Sequence, residues 1–275
     1  MSTQTIGSMV LEVDGQGDAL VMLHGLGGTS NTFFPQMSLL ASRLRVIRPD
    51  LPGSGRSPLS EPLSIQRLTV DVVGTVRALG IERAHLAGHS LGTIVCFQVA
   101  VRYPALVASL ALFGPLLAPP ETARRAIRER ATAVRAGGMQ STADTIVQTS
   151  LSAETRANQP VVAALVREML MRQDAAGYAR TCEALAEATA AEARDVKCPT
   201  LLVTGDEDPI APPTTVRAIG DRMSDARTVV LSRCGHWPTL ERPQDVNAAL
   251  RDFYFGRSMA VGTQRARPRY ASRAS

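Results

Sequence analysis

A serine between two glycines is the strongest chemical signal in the sequence, because residues 88–92 read Gly-His-Ser-Leu-Gly. A short apolar run, residues 84–87, precedes this group, and a stretch of helical length follows it. A serine at a sharp turn from strand to helix projects its hydroxyl out of the sheet, and the glycines leave room for the close packing of such a turn. The free amides at the start of the helix favour developing negative charge. The pattern predicts that Ser90 is a nucleophile.

A serine hydroxyl needs a base, and the sequence offers four histidines: His24, His85, His89 and His236. His236 follows the last apolar run, in a predicted loop. His89 is adjacent to Ser90 within the turn, where its ring cannot easily point at the hydroxyl. His24 ends the first clear strand, and His85 lies within another. We therefore predict that His236 is the base.

The base needs an acid that holds its tautomer and stabilises the imidazolium. The apolar run 201–204 ends in the sequence Gly205-Asp206-Glu207-Asp208-Pro209, which offers three acids. Spacing alone does not separate Asp206 from Asp208.

Acyl transfer also needs an oxyanion hole, in which two backbone N–H groups point at the developing charge. Leu91, the residue after the nucleophile, is predicted to supply one of them. The glycine-rich loop after the first clear strand, His24-Gly25-Leu26-Gly27-Gly28, is predicted to supply the other from Leu26. Its glycines allow the backbone to approach the substrate closely.

Residues around these groups are candidates for the substrate pocket. Phe33 and Phe34 follow the glycine-rich loop, and Trp237 follows the predicted base. The remaining candidates are His24, Gly25, His89 and Tyr178. Four arginines in the same part of the sequence as Tyr178 could bind a substrate carboxylate if one faced the pocket: Arg124, Arg128, Arg135 and Arg180. Cys234 lacks a base of its own and is predicted to be a packed thiol.

Two other patterns imitate cofactor sites. The loop after the first strand resembles a dinucleotide fingerprint, but Ser30 stands where its third glycine belongs. His85 and His89 are four residues apart, but they lie on a strand and a turn and do not share one helical face. We therefore expect no organic cofactor and no metal.

Short apolar runs alternate with stretches of helical length, which predicts a parallel sheet covered by helices on both faces. The predicted strands are 19–23, 44–47, 84–87, 109–113, 201–204 and 228–231, and helical stretches include 64–79, 90–102 and 243–254. Residues 116–193 lack a convincing strand and predict a helical insertion. The predicted domains are a core of residues 1–115 and 194–256, the helical insertion 116–193, and a basic C-terminal tail, 257–275.

Length and charge narrow the function classes. The chain has 275 residues, 45% of them hydrophobic and 20% charged, with a net charge of +5. That composition suits a soluble α/β domain with a sizeable core. Five arginines after Asp252 supply the whole basic excess, so the remainder has 25 basic and 25 acidic residues. A nucleic-acid binder would carry its excess on the fold itself. We expect neither a nucleic-acid nor a membrane partner. We also expect a cytoplasmic protein whose cysteines are reduced, and the sequence leaves open whether it forms a homo-oligomer.

The motifs together resemble the α/β-hydrolase superfamily. The resemblance covers about residues 8–255 and rests on five groups in order: 24–28 (HGLGG), 50–57 (DLPGSGRS), 88–92 (GHSLG), 205–209 (GDEDP) and 235–236 (GH). It implies the α/β-hydrolase fold, a mostly parallel twisted sheet flanked by helices, with residues 116–193 as its cap. It also implies that the acid is the second aspartate of its G-x-x-D pattern, which is Asp208. Asp206 would then shape the turn.

Within that superfamily, three stretches are similar to 3-oxoadipate enol-lactonases: 135–144 (RAGGMQSTAD), 177–184 (GYARTCEA) and 199–202 (PTLL). This resemblance implies a serine hydrolase of a small ester or lactone, including an enol-lactone that carries carboxylates. The same triad would serve a C–C bond hydrolase of ring-cleavage products or a perhydrolase-like enzyme. A non-catalytic ligand receptor on the same fold is the third alternative.

Overall fold

The computed structural model describes residues 1–59 and 62–256. The predicted basic tail, 257–275, lies outside the described residues. One eight-stranded sheet forms the centre, and its strands in chain order are β1 (Ser2–Ile6), β2 (Met9–Asp14), β3 (Asp18–Leu23), β4 (Leu44–Asp50), β5 (Ala84–His89), β6 (Val107–Phe113), β7 (Thr200–Gly205) and β8 (Ala226–Leu231).

The sheet order is β1-β2-β4-β3-β5-β6-β7-β8. The pairs from β4 to β8 are parallel, while β1 and β2 form an antiparallel hairpin at one edge. The predicted α/β fold with a mostly parallel sheet is confirmed. Each of the six predicted strands is present, whereas the edge hairpin went unpredicted because β1 (STQTI) is short, polar and almost fully exposed.

Eleven α-helices surround the sheet in the described part of the chain. Six belong to the chain before β6 or after β7: α1 (Met37–Leu40), α2 (Ile65–Ala78), α3 (Leu91–Arg102), α9 (Pro213–Gly220), α10 (Pro238–Glu241) and α11 (Pro243–Phe255). Five lie between β6 and β7: α4 (Glu121–Gly137), α5 (Gln140–Ser150), α6 (Ala153–Asn158), α7 (Pro160–Met171) and α8 (Ala175–Ala186). Short 3₁₀ helices occupy Ser30–Gln36, Pro104–Leu106 and Ala193–Asp195.

The strands bury both faces because alternate side chains enter two separate cores. In β3, Val21 and Leu23 pack with α2 and α3, whereas Leu20 and Met22 pack with α1 and α11. The α4–α8 segment adds its apolar residues to the first of these cores. No described helix is both long and apolar enough to cross a bilayer.

The register of the parallel strands brings their carboxyl ends to one edge. Leu23 of β3 pairs with Gly88 of β5, which pairs with Leu112 of β6. Gly205 of β7 pairs with Leu231 of β8. The loops that follow these strands carry the predicted serine, acid, base and glycine-rich turn, so the sheet itself gathers them.

Candidate active site

Ser90 occupies a strained backbone position between β5 and α3. Its φ is 53° and its ψ is −118°, and in the described residues only Ser90 and Arg233 combine a side chain with a positive φ. A Cβ at Gly92 would lie 2.2 Å from the carbonyl oxygen of Leu23, and one at Gly88 would lie 2.7 Å from that of Gly92. The two glycines are therefore required by the backbones they touch. The turn leaves the Ser90 side chain partly exposed in an otherwise buried setting.

Hydrogen bonds hold this turn on both sides. The Ser90 N–H donates to the carbonyl oxygen of Phe113 at 2.9 Å. The Ser90 carbonyl oxygen accepts from the N–H of Thr93 at 2.8 Å and from its hydroxyl at 2.6 Å. Leu91 is the first residue of α3, so its N–H has no acceptor within the helix.

His236 and Asp208 form a buried pair. The Nδ1 of His236 lies 2.8 Å from Oδ2 of Asp208, and both side chains are almost fully buried. The other carboxylate oxygen accepts from the N–H groups of Ile210 at 2.8 Å and Ala211 at 2.9 Å. Burial alone would raise the pKa of Asp208, but His236 and these two amides together lower it below its ordinary value. The acid is held ionised, so it accepts the hydrogen bond and Nδ1 of His236 donates it.

The second ring nitrogen of His236 faces the interior without a partner. Its Nε2 is buried and makes no hydrogen bond within the described structure. The ring lies over Gly114, where a Cβ would be 2.8 Å from Cε1 of His236. Gly114 directly follows Phe113, the residue that accepts from the Ser90 N–H. The serine turn and the histidine ring therefore flank the same short piece of backbone at the end of β6.

The competing acid, Asp206, serves another contact. Its Oδ1 accepts from the N–H of Cys234 at 3.1 Å. Cys234 is fully buried, and burial raises the pKa of its thiol. The structure thus brings Asp208, and not Asp206, to the histidine. Asp206 supports the backbone on which His236 is carried.

The glycine-rich loop lies directly against Ser90. The N–H of Gly28 donates to the carbonyl oxygen of Gly25 at 3.0 Å, which closes a turn with Gly27 at φ +75°. Leu26 is the second residue of this turn, so its N–H takes no part in the closing hydrogen bond. A Cβ at Gly25 would lie 2.8 Å from Cβ of Ser90. The loop can reach the serine this closely only because residue 25 has no side chain.

Two predicted pocket histidines prove to be buried supports. His24 Nδ1 donates to the carbonyl oxygen of Gly25 at 2.8 Å, and its Nε2 accepts from the N–H of Leu51 at 2.9 Å. His89 Nε2 lies 2.7 Å from the carbonyl oxygen of His236, to which it donates. Burial lowers the pKa of both rings, and that of His89 falls to about 3, with His236 the next cause. Both are neutral rings that brace the loops beside them.

The two phenylalanines lie in different surroundings. Phe33 is fully buried and packs against the ring of Phe113, with 6.1 Å between centroids. Phe34 is 58% exposed, and the guanidinium of Arg48 lies 5.8 Å from its ring centre. Phe33 therefore belongs to the core on the α1 and α11 side and Phe34 to the surface, and a contact of either with substrate stays a prediction.

Tyr178 and Trp237 contact other predicted site residues, Gly27 and His89 respectively. A Cβ at Gly27 would lie 3.2 Å from Cε2 of Tyr178 and 2.3 Å from Cδ2 of Leu170, so α7 and α8 cover the glycine-rich loop. The Trp237 ring packs 4.8 Å from that of His89, centroid to centroid. Its Nε1 donates to the Ser150 hydroxyl at 2.9 Å.

Of the four arginines considered as carboxylate ligands, three bind other protein groups and one lies at the protein surface. Arg124 donates to the carbonyl oxygens of Ala186 and Ala188. Arg135 and Arg180 both pair with Glu183. Arg128 is exposed and lines a surface groove of about 500 Å³ between Pro62, Leu63 and the α4 and α8 helices.

Gln173 is a contact that the sequence did not reveal. Its Nε2 donates to the carbonyl oxygens of Gly27 at 3.2 Å and Gly28 at 3.3 Å, while its Oε1 accepts from the N–H of Gly55 at 3.2 Å. It therefore ties the end of α7 to the glycine-rich loop and to the loop after β4. A lone glutamine after a helix carries no local signal for such a role.

The arrangement combines the parts of a nucleophilic centre. A neutral histidine with one free nitrogen can accept a proton, a buried carboxylate can stabilise the resulting imidazolium, and two free amides can bind an oxyanion. Across the described residues there is no group of three or more His, Cys, Asp or Glu side chains suited to a metal ion.

Comparisons with known proteins point to one family. The model of the alpha/beta hydrolase family matches residues 20–249. Among curated relatives, the (E)-2-((N-methylformamido)methylene)succinate hydrolase of Acinetobacter baylyi is 26% identical over 242 residues, covering 86% of this chain and 90% of that protein.

Solved structures extend the likeness to three dimensions. The enol-lactonase from Burkholderia xenovorans superimposes with a TM-score of 0.86 at 28% identity, over 92% of this chain and 99% of that one. A malate-bound thermophilic esterase from Thermogutta terrifontis gives a TM-score of 0.85 at 28% identity, over 89% and 92% of the two chains. Both likenesses span about nine tenths of this chain or more.

Proposed function

The chain belongs to the alpha/beta hydrolase family, and from that premise we propose that it is a serine hydrolase of small esters or lactones. One observation carries the proposal: a buried His236, whose Nδ1 is 2.8 Å from Asp208, keeps its Nε2 unpartnered in the interior beside the Ser90 turn. A buried polar atom without a partner is costly, so such a nitrogen on a histidine beside the predicted nucleophile supports its role as the base.

The proposed cycle is acyl transfer. The Ser90 oxygen attacks the substrate carbonyl carbon while its proton passes to His236 Nε2. The N–H groups of Leu26 and Leu91 stabilise the oxyanion. When the tetrahedral intermediate collapses, the bond to the leaving oxygen breaks, and His236 returns the proton to the alcohol or enol. A water then attacks the acyl carbon and gives its proton to the same nitrogen. The bond to the Ser90 oxygen breaks, this oxygen takes the proton back from His236, and the acid leaves.

The proposed substrate class rests on the residues that pack over the glycine-rich loop. Leu170 and Tyr178 lie over the glycine-rich loop, and Leu26 packs into the same core. Of the arginines considered as carboxylate ligands, Arg135 and Arg180 are paired with Glu183 and Arg124 binds backbone carbonyls. The apolar contacts over the glycine-rich loop support an uncharged ester or lactone, which we propose over the anionic enol-lactone that the sequence resemblance implied.

A substrate panel with wild type and Ser90→Ala tests the proposal. The panel holds short p-nitrophenyl esters, neutral lactones and an anionic enol-lactone. We expect turnover of the neutral substrates by wild type and none by Ser90→Ala, whose fold is checked by circular dichroism. Preference for the enol-lactone would overturn the proposed neutral substrate.

The same panel separates the other activities open to this fold. Near-wild-type turnover by Ser90→Ala would refute the nucleophile. Absence of ester and lactone turnover in wild type would refute the hydrolase of small esters, and would favour a C–C bond hydrolase or a ligand receptor.

A further inference from the structure

Glu241 is a buried carboxylate outside the serine, histidine and aspartate set. It ends α10, one turn after His236, and its residue exposure is 1%. Four hydrogen-bond donors converge on it. Oε1 accepts from the N–H of Trp237 at 3.0 Å. Oε2 accepts from the N–H groups of Gly235 at 3.1 Å and Ser152 at 2.9 Å and from the hydroxyl of Thr155 at 2.8 Å.

All four donors to the two carboxylate oxygens are neutral groups, and the nearby guanidinium of Arg242 donates to the backbone carbonyl oxygen of Glu241 at 2.7 Å. A buried carboxylate is costly unless its oxygens are hydrogen-bonded, and here both are. Four neutral donors around one carboxylate have a strict geometry, because each donor must point inward. That strictness makes Glu241 suited to fixing backbone positions.

The backbone that it fixes is that of His236. Glu241 holds the N–H groups immediately before and after this residue, Gly235 and Trp237. The N–H of His236 itself donates to the carbonyl oxygen of Ser150 at 2.7 Å. Three consecutive amides are thus anchored. The loop also packs closely against the end of α5, since a Cβ at Gly235 would lie 2.4 Å from the Ser150 carbonyl oxygen.

The other two donors belong to the segment between β6 and β7. Ser152 and Thr155 lie at the junction of α5 and α6. The same junction receives the Trp237 indole at the Ser150 hydroxyl. A single carboxylate therefore joins the loop that carries His236 to the helices that cover the site.

We propose that Glu241 is a positioning residue, which sets the place of His236 relative to Ser90 and couples it to the α5–α6 junction. This inference rests on the proposed serine hydrolase function. The Glu241→Gln variant keeps the size of the side chain but replaces one acceptor oxygen by an NH₂ group that faces an N–H or O–H donor. The loop must then shift, and the His236 nitrogen shifts with it.

The expected result is a fall in kcat on the order of 100-fold, the penalty for roughly 1 Å of misplacement, with KM nearly unchanged. The proton NMR signal of the hydrogen bond from His236 Nδ1 to Asp208 should also move. Glu207→Gln is the matched control: Glu207 accepts from the N–H of Ala153 at 2.8 Å, touches the same junction and is exposed. Its kcat and its NMR signal should stay as in wild type.

A second pair of variants keeps the test decisive if Glu241→Gln does not fold. Thr155→Val removes one donor from the helical side, whereas Thr155→Ser retains the hydroxyl. We expect a lower kcat in the valine variant and recovery in the serine variant.

Wild-type kcat and an unmoved NMR signal in Glu241→Gln would overturn the inference, as would equal kcat values for the two Thr155 variants. The Ser90→Ala variant distinguishes failure of the positioning role from failure of the serine hydrolase function. Loss of turnover in Ser90→Ala together with full activity in Glu241→Gln would refute the positioning role alone. Retained turnover in Ser90→Ala would refute the hydrolase itself.

Discussion

Replacing Ser90 by glycine is expected to make the protein more stable than replacing it by alanine. Both variants lack the hydroxyl, so both should be inactive. They differ in the Cβ, which at φ 53° and ψ −118° crowds the backbone. Glycine has no Cβ and adopts this conformation freely.

The size of the difference follows from two opposing effects. A side-chain-bearing residue held in such a sparsely populated region costs about 1–3 kcal/mol, which glycine recovers. Glycine in turn loses about 0.4–1 kcal/mol, because its unfolded chain is more flexible. The net gain is about 1 kcal/mol in the free energy of unfolding. For a chain of this size, that corresponds to a melting temperature roughly 2–4 °C higher.

Differential scanning calorimetry of Ser90→Gly and Ser90→Ala in the same buffer measures this difference, and urea unfolding gives it independently. Because the hydroxyl is absent from both, its own contacts cancel. A Ser90→Gly variant that melts at or below Ser90→Ala would show that the turn stores no such strain. The account of the serine turn as a strained, glycine-enclosed position would then be wrong.

Two further predictions concern the histidines and their acid. Asp208→Asn should lower kcat about 10,000-fold with little change in fold, since an amide no longer holds the Nδ1 tautomer of His236. Asp206→Asn keeps the oxygen that accepts from the Cys234 N–H, so its kcat in the same ester assay should stay near that of wild type. A larger loss of kcat in Asp206→Asn than in Asp208→Asn would show that Asp206, and not Asp208, is the acid of the triad. His89 has a folded pKa of about 3, so as the pH falls through about 6.5 the unfolded chain binds the proton first and stability is lost. Between pH 7 and pH 5 the loss in the free energy of unfolding amounts to roughly 2 kcal/mol. The His89→Gln variant, whose amide can still donate to the His236 carbonyl oxygen, should lack this loss when urea unfolding is measured at both pH values. An equal loss in the variant and in wild type would mean that the fold does not lower the pKa of His89.

The sequence predicted the main elements of the fold because their signals are local. Each of the six predicted strands is a short apolar run, and the strands from β3 to β7 place side chains in the cores on both faces of the sheet. The hairpin of β1 and β2 lacks such a signal. Its outer strand is exposed, and only pairing with β2 defines it.

Placement of single side chains was less predictable. Phe33 and Phe34 are adjacent in sequence, yet one is in the core and the other at the surface. The direction of each depends on the 3₁₀ helix from Ser30 to Gln36, whose course the sequence pattern does not specify. Arg124 and Arg135 of α4 likewise find partners in or just after α8, which only packing decides.

The sequence by itself determined which chemical groups follow which strands: the serine after β5, the two aspartates after β7 and the histidine after β8. It did so because motifs of glycines and polar residues at strand ends are encoded within a few residues. Only the tertiary structure decided that Asp208 meets His236, and that Glu241 and Gln173 reach the loops of the site. Those contacts join residues up to 146 positions apart, and a hydrogen bond between distant segments depends on the packing of the whole chain.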